Sequence, residues 1–175
     1  MVPPPSARAP ATARTTAYLG LGSNLGDRAA IVAAALARLE AEGVRVRARA
    51  PLYETDPVTA EPQPLYLNSA ARVETSLAAD ELLALCLAIE RALGRERPPG
   101  AASPAPRPID LDLLLYGEAV VARPTLVVPH PRLLERPFVR IPLADVATPG
   151  LRHPVTGELL DRAAPDPGVR RLQIS

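Results

Sequence analysis

Residues 106–117, PRPIDLDLLLYG, place two aspartates in an apolar run that follows directly after an arginine. Leucine, isoleucine and tyrosine between a proline and a Tyr-Gly pair are typical of a buried β-strand rather than a helix. Because alternate residues of a strand share a face, Asp110 and Asp112 should project together, with Cα atoms roughly 6.5–7 Å apart. Ile109 and Leu111 should then pack on the opposite face.

The two carboxylates repel each other if both are ionised on one buried face, and they are too costly to hold there without a partner. One or two Mg²⁺ ions with oxygen ligands would neutralise Asp110 and Asp112. An ordinary strand end, whose acids reach solvent or pair with arginine, explains the same spacing. The spacing alone leaves both interpretations open.

The composition of the chain predicts a single globular domain, since 47% of its 175 residues are hydrophobic and 22% are charged. We expect residues 1–15 to form a disordered tail and residues 16–175 to form the domain. No apolar run approaches the ~20 residues of a membrane span, and the first fourteen residues lack the apolar region of a secretory signal. The single cysteine, Cys86, excludes an internal disulfide and suits a reducing cytoplasm.

Net charge argues against a nucleic-acid partner, because twenty basic and nineteen acidic residues give only +1. Every basic residue is arginine. A chain without lysine cannot use a Walker-type phosphate loop or a Schiff base. Any phosphate must therefore be bound by guanidinium groups, backbone N–H groups or a metal.

Strand and helix patterns alternate upstream of the aspartates, with Asp27 as a candidate helix N-cap. The predicted elements are strands at 16–21, 44–49 and 65–73, and helices at 28–41 and from 75 or 76 to 94. A β-α-β, β-α-β order suits an α+β fold, a ferredoxin-like split βαβ sheet that is mixed or antiparallel. Both long helices should lie on one face, with extra C-terminal helices.

The connecting segments differ in what they predict. Residues 51–64 carry four prolines and no apolar periodicity, which favours a binding loop over a plain surface loop. A short hairpin is expected at 120–128 and a helical turn at 132–136. The region from Pro149 onward is proline-rich and receives no predicted chemistry, and His153 should be an exposed loop residue.

Arginines flank the aspartate strand, with Arg95, Arg97 and Arg107 before it and Arg136 after it. A metal bridging phosphate oxygens, with guanidinium groups on the others, is a way to bind polyphosphate without a phosphate loop. His130 lies in the same downstream segment, where a structural role is the alternative.

A second cluster consists of Tyr66, Asn68 and Phe138. Two ring faces and an amide can bind a flat heterocycle by stacking and paired hydrogen bonds. The alternatives are that the rings are core residues and that Asn68 is a turn or cap residue.

Six sequence motifs, in order, resemble one family, the 6-hydroxymethyl-7,8-dihydropterin pyrophosphokinases of folate biosynthesis. The resemblance covers roughly residues 17–147 and implies a ferredoxin-like fold. The motifs are YLGLGSNLGDR at 18–28, YETDPV with QPLYLNSA at 53–70, IERALGR at 89–95, PRPIDLDLLLYG at 106–117, VVPHPRLLERPFV at 127–139 and IPL at 141–143.

The resemblance implies a role for each matching residue. Asp110 and Asp112 match the family's two Mg²⁺ ligands, and with Arg95 and Arg107 they form the catalytic set. The implied nucleotide-binding residues are Glu90, Arg95, Arg97, Arg107, Leu113, His130 and Arg136. The implied pterin-binding residues are Gly22, Ser23, Asn24, Thr55, Asp56, Val58, Tyr66, Asn68 and Phe138.

The implied reaction is attack of the pterin hydroxymethyl oxygen on the β-phosphorus of ATP, which transfers pyrophosphate and releases AMP. It would need two Mg²⁺ ions and no protein nucleophile. We expect a cytoplasmic monomer with small-molecule substrates and no nucleic-acid or membrane partner. The chain departs from the family at Pro104 and Ala105, which replace a Trp-Gly pair, in a loop about two residues longer, and at Val127, which replaces a polar residue.

Two other functions use similar elements. A nucleotidyltransferase pairs Gly-Ser with Asp-X-Asp, but normally shortly before it, whereas Gly22 and Asp110 are far apart here. A ferredoxin-like RNA-binding module places aromatic residues on its central strands. The aspartates and the near-zero net charge of this chain count against it.

Overall fold

The computed structural model describes residues 13–58, 62–96 and 105–173. Its strands are β1 (Thr15–Ser23), β2 (Arg45–Arg49), β3 (Tyr53–Thr55), β4 (Tyr66–Thr75), β5 (Asp110–Tyr116), β6 (Val121–Arg123), β7 (Leu126–Val128) and β8 (Val169–Arg171). Its helices are α1 (Arg28–Ala41), α2 (Ala79–Ala92) and α3 (Pro137–Val146). In these described ranges, no helix is both long and apolar enough to cross a bilayer.

Six strands form one sheet in the order β5-β1-β4-β3-β8, and β2 also pairs with β4. Every pairing is antiparallel, so the antiparallel alternative of the sequence prediction is confirmed. The predicted hairpin is the separate pair β6-β7. The long strands β1 and β4 lie at the centre, with β5 at one edge.

The two long helices cover one face of the sheet, as predicted, and we call this the helix face. Its core contains Leu19, Leu36, Cys86 and Leu111, all buried. Tyr18 and Leu114 point the other way and pack with α3 in a second cluster. Because side chains alternate along a strand, α3 lies against the opposite face, which we call the cavity face.

The C-terminal half differs from the prediction in two respects. Only α3 is helical among the described residues after β7, and 131–135 form turns, so the predicted set of C-terminal helices is reduced to one. His153 is buried rather than exposed, at 8% relative exposure. Its Nδ1 accepts hydrogen bonds from the backbone N–H groups of Val155 and Thr156.

The helix starts show which capping predictions hold. The Asp27 side chain accepts a hydrogen bond from the N–H of Ala30, so the predicted N-cap of α1 is confirmed. Helix α2 starts at Ala79, later than predicted, and the Glu81 carboxylate accepts from the N–H of Ala78 in place of a hydroxyl cap. First-turn acids favour this end of a helix.

Two short strands lie where the sequence predicted none. Strand β3 is inside the proline-rich loop 51–64, and β8 lies in the segment after Pro149. The first strand begins at Thr15, and most of the predicted tail lies outside the described residues. Three-residue strands carry too little sequence for periodicity to detect them.

Candidate active site

The aspartates of β5 lie on the cavity face because Ile109, Leu111 and Leu113 are buried on the helix face. In the register with β1, Asp110 is opposite Gly22 and Asp112 is opposite Gly20. A Cβ at Gly22 would lie 3.1 Å from the Asn68 Oδ1 atom, tighter than an ordinary contact. Glycine therefore keeps the floor of the site open.

Asp110 is held by two arginines. The Arg107 guanidinium lies 2.9 Å from its carboxylate, and Arg95 donates a hydrogen bond to the other oxygen. Burial raises the pKa of Asp110, but the charges of Arg107 and Arg95 outweigh it and hold that pKa below its usual range. Asp110 is therefore a carboxylate at neutral pH.

Glu90 joins helix α2 to this network. Its carboxylate is 2% exposed, accepts the N–H of Leu111 at 2.8 Å and lies 2.7 Å from Arg95. Arg95 is thus bound between two carboxylates, and these charges raise the pKa of its guanidinium against the opposing effect of burial. The pairing fixes the guanidinium beside Asp110.

Asp112 has a different environment. In the part of the chain that the structure describes, no arginine forms an ion pair with it. Burial first, and then the charges of Asp110 and Glu90, raise the pKa of Asp112 to about 7. A cation at this carboxylate would favour its charged form and so oppose the effects of both burial and the neighbouring charges.

Asn24 connects the end of β1 to Arg107. It is buried, its side-chain oxygen accepts the N–H of Arg107 at 2.8 Å, and its own N–H donates to the carbonyl of Arg107 at 3.2 Å. The adjacent Ser23 is also buried, and its hydroxyl has no hydrogen-bond partner among the described residues. Asn24 therefore holds the backbone of Arg107 from behind the cavity wall.

The ring-side cavity opens on the cavity face of the sheet, between β1, β4 and β5 and the start of α3. Predicted pterin-binding and nucleotide-binding residues both line it. They are Gly22, Thr55, Asp56, Val58, Tyr66, Asn68, Phe138, Arg107, Asp110, Asp112 and Arg136.

Both predicted rings contact an arginine. The Arg107 guanidinium lies 5.5 Å from the Tyr66 ring centroid, and that of Arg136 lies 5.6 Å from the Phe138 centroid. Neither ring is fully buried. The Asn68 amide donates to the Thr55 hydroxyl at 2.7 Å, which fixes its orientation.

The hairpin-side cavity lies between α2, β5 and the β6-β7 hairpin. Glu90, Asp112, Leu113 and His130, which the resemblance assigns to the nucleotide, line it together with Val127. Asp112 is therefore shared by the two cavities. His130 accepts the Arg132 N–H on its Nδ1, and burial followed by the Arg136 charge lowers its pKa, which favours the neutral ring.

Several site residues were not predicted, and two predicted positions cannot be placed. Arg97 and Pro104 lie outside the described residues. Gly20, Ser69 and Val139 also line the ring-side cavity. The signal for Gly20 was available, since it shares a strand face with Gly22. Ser69 and Val139 were identifiable only once neighbouring elements were in place.

The side chains available as ligands determine whether the site could hold Mg²⁺. Within residues 13–58, 62–96 and 105–173, no group of three or more His, Cys, Asp or Glu side chains is arranged to hold a metal. Two carboxylates are insufficient for six-coordinate Mg²⁺, whose other ligands are commonly water and substrate phosphate. Asp110 and Asp112 therefore fit an ion that is bound together with a phosphate substrate.

An antiparallel sheet covered by helices, with a carboxylate pair flanked by arginines, is an arrangement suited to an enzyme that transfers phosphate groups. A family model described as 7,8-dihydro-6-hydroxymethylpterin-pyrophosphokinase (HPPK) matches residues 18–148. The chain belongs to this family, which confirms the resemblance found in the sequence and supports the predicted transfer of pyrophosphate in folate biosynthesis.

Curated relatives agree. The 2-amino-4-hydroxy-6-hydroxymethyldihydropteridine pyrophosphokinase of Methylorubrum extorquens is 47% identical over 134 residues, 76% of this chain and 83% of that protein. That of Bacillus subtilis is 44% identical over 131 residues, 74% and 77% of the two chains. The folic acid synthesis protein fol1 of Pneumocystis carinii is 40% identical over 80% of this chain, which spans only 18% of its length.

A solved structure described as HPPK-DHPS in complex with substrates matches the fold. The TM-score is 0.63, and the alignment covers 85% of this chain and 42% of that chain at 11% sequence identity. At this identity, the match concerns the arrangement of strands and helices alone.

Proposed function

We propose that the protein transfers pyrophosphate from ATP to the hydroxymethyl oxygen of 6-hydroxymethyl-7,8-dihydropterin and releases AMP. The observation that carries the proposal is the position of Asp112, which lines both cavities. A pterin in the ring-side cavity and a nucleotide in the hairpin-side cavity would meet at this carboxylate. Holding two reactants in a fixed approach can supply much of the rate enhancement.

The pterin would be bound by Tyr66, Phe138 and Asn68. The two rings offer apolar faces, and the Asn68 side chain, oriented by Thr55, offers polar atoms to the heterocycle edge. Asp56 and Val58 supply the neighbouring wall. The remaining predicted contacts, Gly22, Ser23 and Asn24, shape the floor and position Arg107.

The phosphates would be bound by Arg95 and Arg107. Both guanidinium groups are preassembled on Asp110, so they need little reordering when a polyphosphate arrives. Preorganised positive charge is the main requirement of phosphoryl transfer. Leu113 and His130 would line the nucleotide side together with Glu90, and Arg136 would lie between the two substrates.

Asp110 and Asp112 would hold Mg²⁺. When bound, the metal supplies charge neutralisation and a template for the phosphate oxygens. The chain's part is to keep Asp110 ionised through its arginines and to present Asp112, which forms no ion pair among the described residues, to both cavities. Two ions are expected, with Asp110 and Asp112 as the residues that would hold them.

We also propose a ferredoxin-like fold, a cytoplasmic location and a monomeric state without nucleic-acid partners. The order β5-β1-β4-β2 with α1 and α2 on one face supports a ferredoxin-like sheet. A cytoplasmic monomer without nucleic-acid partners is consistent with the buried, unpaired Cys86 and the net charge of +1. Sedimentation at micromolar concentration tests the oligomeric state.

The decisive test is the identity of the nucleotide product. Protein with Mg²⁺, ATP and the hydroxymethyl dihydropterin should form AMP in a 1:1 ratio with pterin pyrophosphate, measured by chromatography. A control without pterin should give no AMP. Formation of ADP or free pyrophosphate would contradict the proposal, because it would indicate cleavage at a different phosphorus.

A further inference from the structure

The C-terminal residues 166–172 lie beside the ring-side cavity although they fall outside the family match, which ends at residue 148. They begin with a turn in which Asp166 accepts two backbone N–H groups, that of Gly168 at 2.8 Å on its side chain and that of Val169 at 3.0 Å on its carbonyl. This turn delivers β8 to the edge of the sheet.

Strand β8 pairs with β3 over its whole length. Val169 is opposite Thr55 and Arg171 is opposite Tyr53, and the Leu172 N–H donates to the Leu52 carbonyl at 2.8 Å. A three-residue strand such as β3 is weakly held by one neighbour. The second neighbour fixes its backbone from the other side.

The paired residues of β3 lead directly into the site. Thr55 accepts the hydrogen bond that orients Asn68, and Asp56 and Val58 line the ring-side cavity. The Arg170 guanidinium lies 3.5 Å from the Asp56 carboxylate. A further cavity, continuous with this wall, is lined by Phe138 and residues 55–58 on one side and by Asp166, Gly168 and Val169 on the other.

We propose that residues 166–172 are a positioning element for the heterocyclic substrate. They set the backbone of residues 53–58 and through it the orientation of Asn68, without contacting the reacting atoms. The proposal rests on the proposed function. It assigns the segment an effect on pterin affinity and none on the nucleotide, because the hairpin-side cavity contains no residue of β3 or β8 among its lining residues.

A pair of proline variants tests this without changing the exposed character of the strand. In an antiparallel pair, N–H groups alternate between facing the neighbour and facing away. Since the Leu172 N–H faces β3, that of Arg170 faces it too, and that of Arg171 faces away. Arg170→Pro should remove a bond to β3, whereas Arg171→Pro is the matched control.

The full-length wild-type protein and both variants are compared by KM for pterin, KM for ATP and kcat. Arg170→Pro should raise the pterin KM about tenfold and leave the ATP KM and kcat within about twofold, and Arg171→Pro should resemble the wild type. Arg170→Ala, which keeps the backbone bond but loses the ion pair with Asp56, should raise the pterin KM only about twofold.

An unchanged pterin KM in Arg170→Pro would overturn the proposal. So would equal changes in both KM values and kcat for both proline variants, since the effect would then be neither confined to the pterin nor dependent on the hydrogen bond to β3. If Arg170→Pro does not fold, Asp166→Ala takes its place, because it removes the side-chain acceptor of the Gly168 N–H and loosens the turn that leads to β8. An unchanged pterin KM in that variant overturns the proposal. Failure of the wild type to form AMP refutes the proposed function instead, and direct pterin titration of wild type and variants then tests the positioning separately.

Discussion

The two faces of the central sheet consist of the same strands but have different roles. On the helix face, β5 contributes Leu111 and Leu113 to the apolar core, and both also border the hairpin-side cavity. On the cavity face, the same strand contributes Asp110 and Asp112 to an open site that α3 covers only at one end. The period of two therefore separates stability from chemistry at neighbouring residues.

The largest expected effect is on the cavity face. Asp112→Asn keeps the shape of the side chain but removes the charge shared by the two cavities. AMP formation should fall by about 10³-fold, since a charge-stabilising group of the reaction is lost. The measurement is kcat with saturating Mg²⁺ and both substrates.

A second readout separates lost charge from lost structure. Asp112→Asn should retain pterin affinity and raise the midpoint of thermal unfolding without Mg²⁺ or ATP, because a buried negative charge beside Asp110 and Glu90 is removed. Asp80→Asn, at an exposed ion pair with Arg123, is the control. Unchanged AMP formation in Asp112→Asn would indicate that Asp112 is an ordinary strand-end residue without a role in the reaction.

Leu19→Ala is the counterpart on the helix face, on the neighbouring strand β1. Leu19 is 0% exposed, so truncation should lower the free energy of unfolding by about 2–5 kcal/mol through lost burial and a cavity. The activity of the folded fraction should change little. Urea unfolding with an activity assay below the transition measures both. A loss of kcat larger than the loss of stability would show that the faces are not independent.

Tyr66→Ala should have a smaller effect, confined to one substrate. Loss of a ring that stacks on a heterocycle costs about 1–3 kcal/mol, so the Kd of the pterin should rise about fivefold to 150-fold. Fluorescence titration of pterin binding measures it. Tyr116→Ala, at the other end of the sheet, is the control and should leave the Kd unchanged. Because Tyr66 also contacts Arg107, a small loss of ATP affinity is compatible with the two cavities. A loss of ATP affinity as large as the loss of pterin affinity would contradict the division between them.

The smallest expected effect is a pH dependence of the stability, caused by His153. Burial first, and then the Arg140 charge, lower the pKa of His153, while Glu158 opposes them. The unfolded chain therefore takes up a proton before the folded protein does, so stability falls as the pH drops below about 6.5. His153→Asn keeps an acceptor for the Val155 N–H but does not titrate. Urea unfolding at pH 7.5 and 5 should show a smaller decrease for the variant, and an equal decrease would refute the assignment.

The sequence predicted those elements whose signals are local. The alternation at 109–113, the Asp27 cap of α1 and the arginine alternation of β2 required no knowledge of distant residues. The pairing of β3 with β8 joins residues more than one hundred positions apart, and three-residue strands have no periodicity to detect. His153 was misjudged because its burial depends on the packing of the C-terminal turns.

The candidate site, like the fold, was predictable only where its signals are local in the sequence. The carboxylate pair and its arginines were identifiable from residue type and spacing. The difference between Asp110 and Asp112 was not, since it depends on which arginine reaches which carboxylate. Similarly, sequence separation concealed that Gly22 is opposite Asp110 in the sheet. The positions of Arg97 and Pro104 stay predictions.

Glu90 also has a consequence for how the protein behaves in a crowded solution. Strand β5 is the last strand of its sheet, and such an edge offers free N–H and C=O groups to other chains. The Glu90 carboxylate accepts the backbone N–H of Leu111, and the backbone N–H of His130 donates to the carbonyl of Leu114 at 2.9 Å. Two positions of the edge are thereby closed to strand addition, so the residues that shape the site also protect the sheet from aggregation.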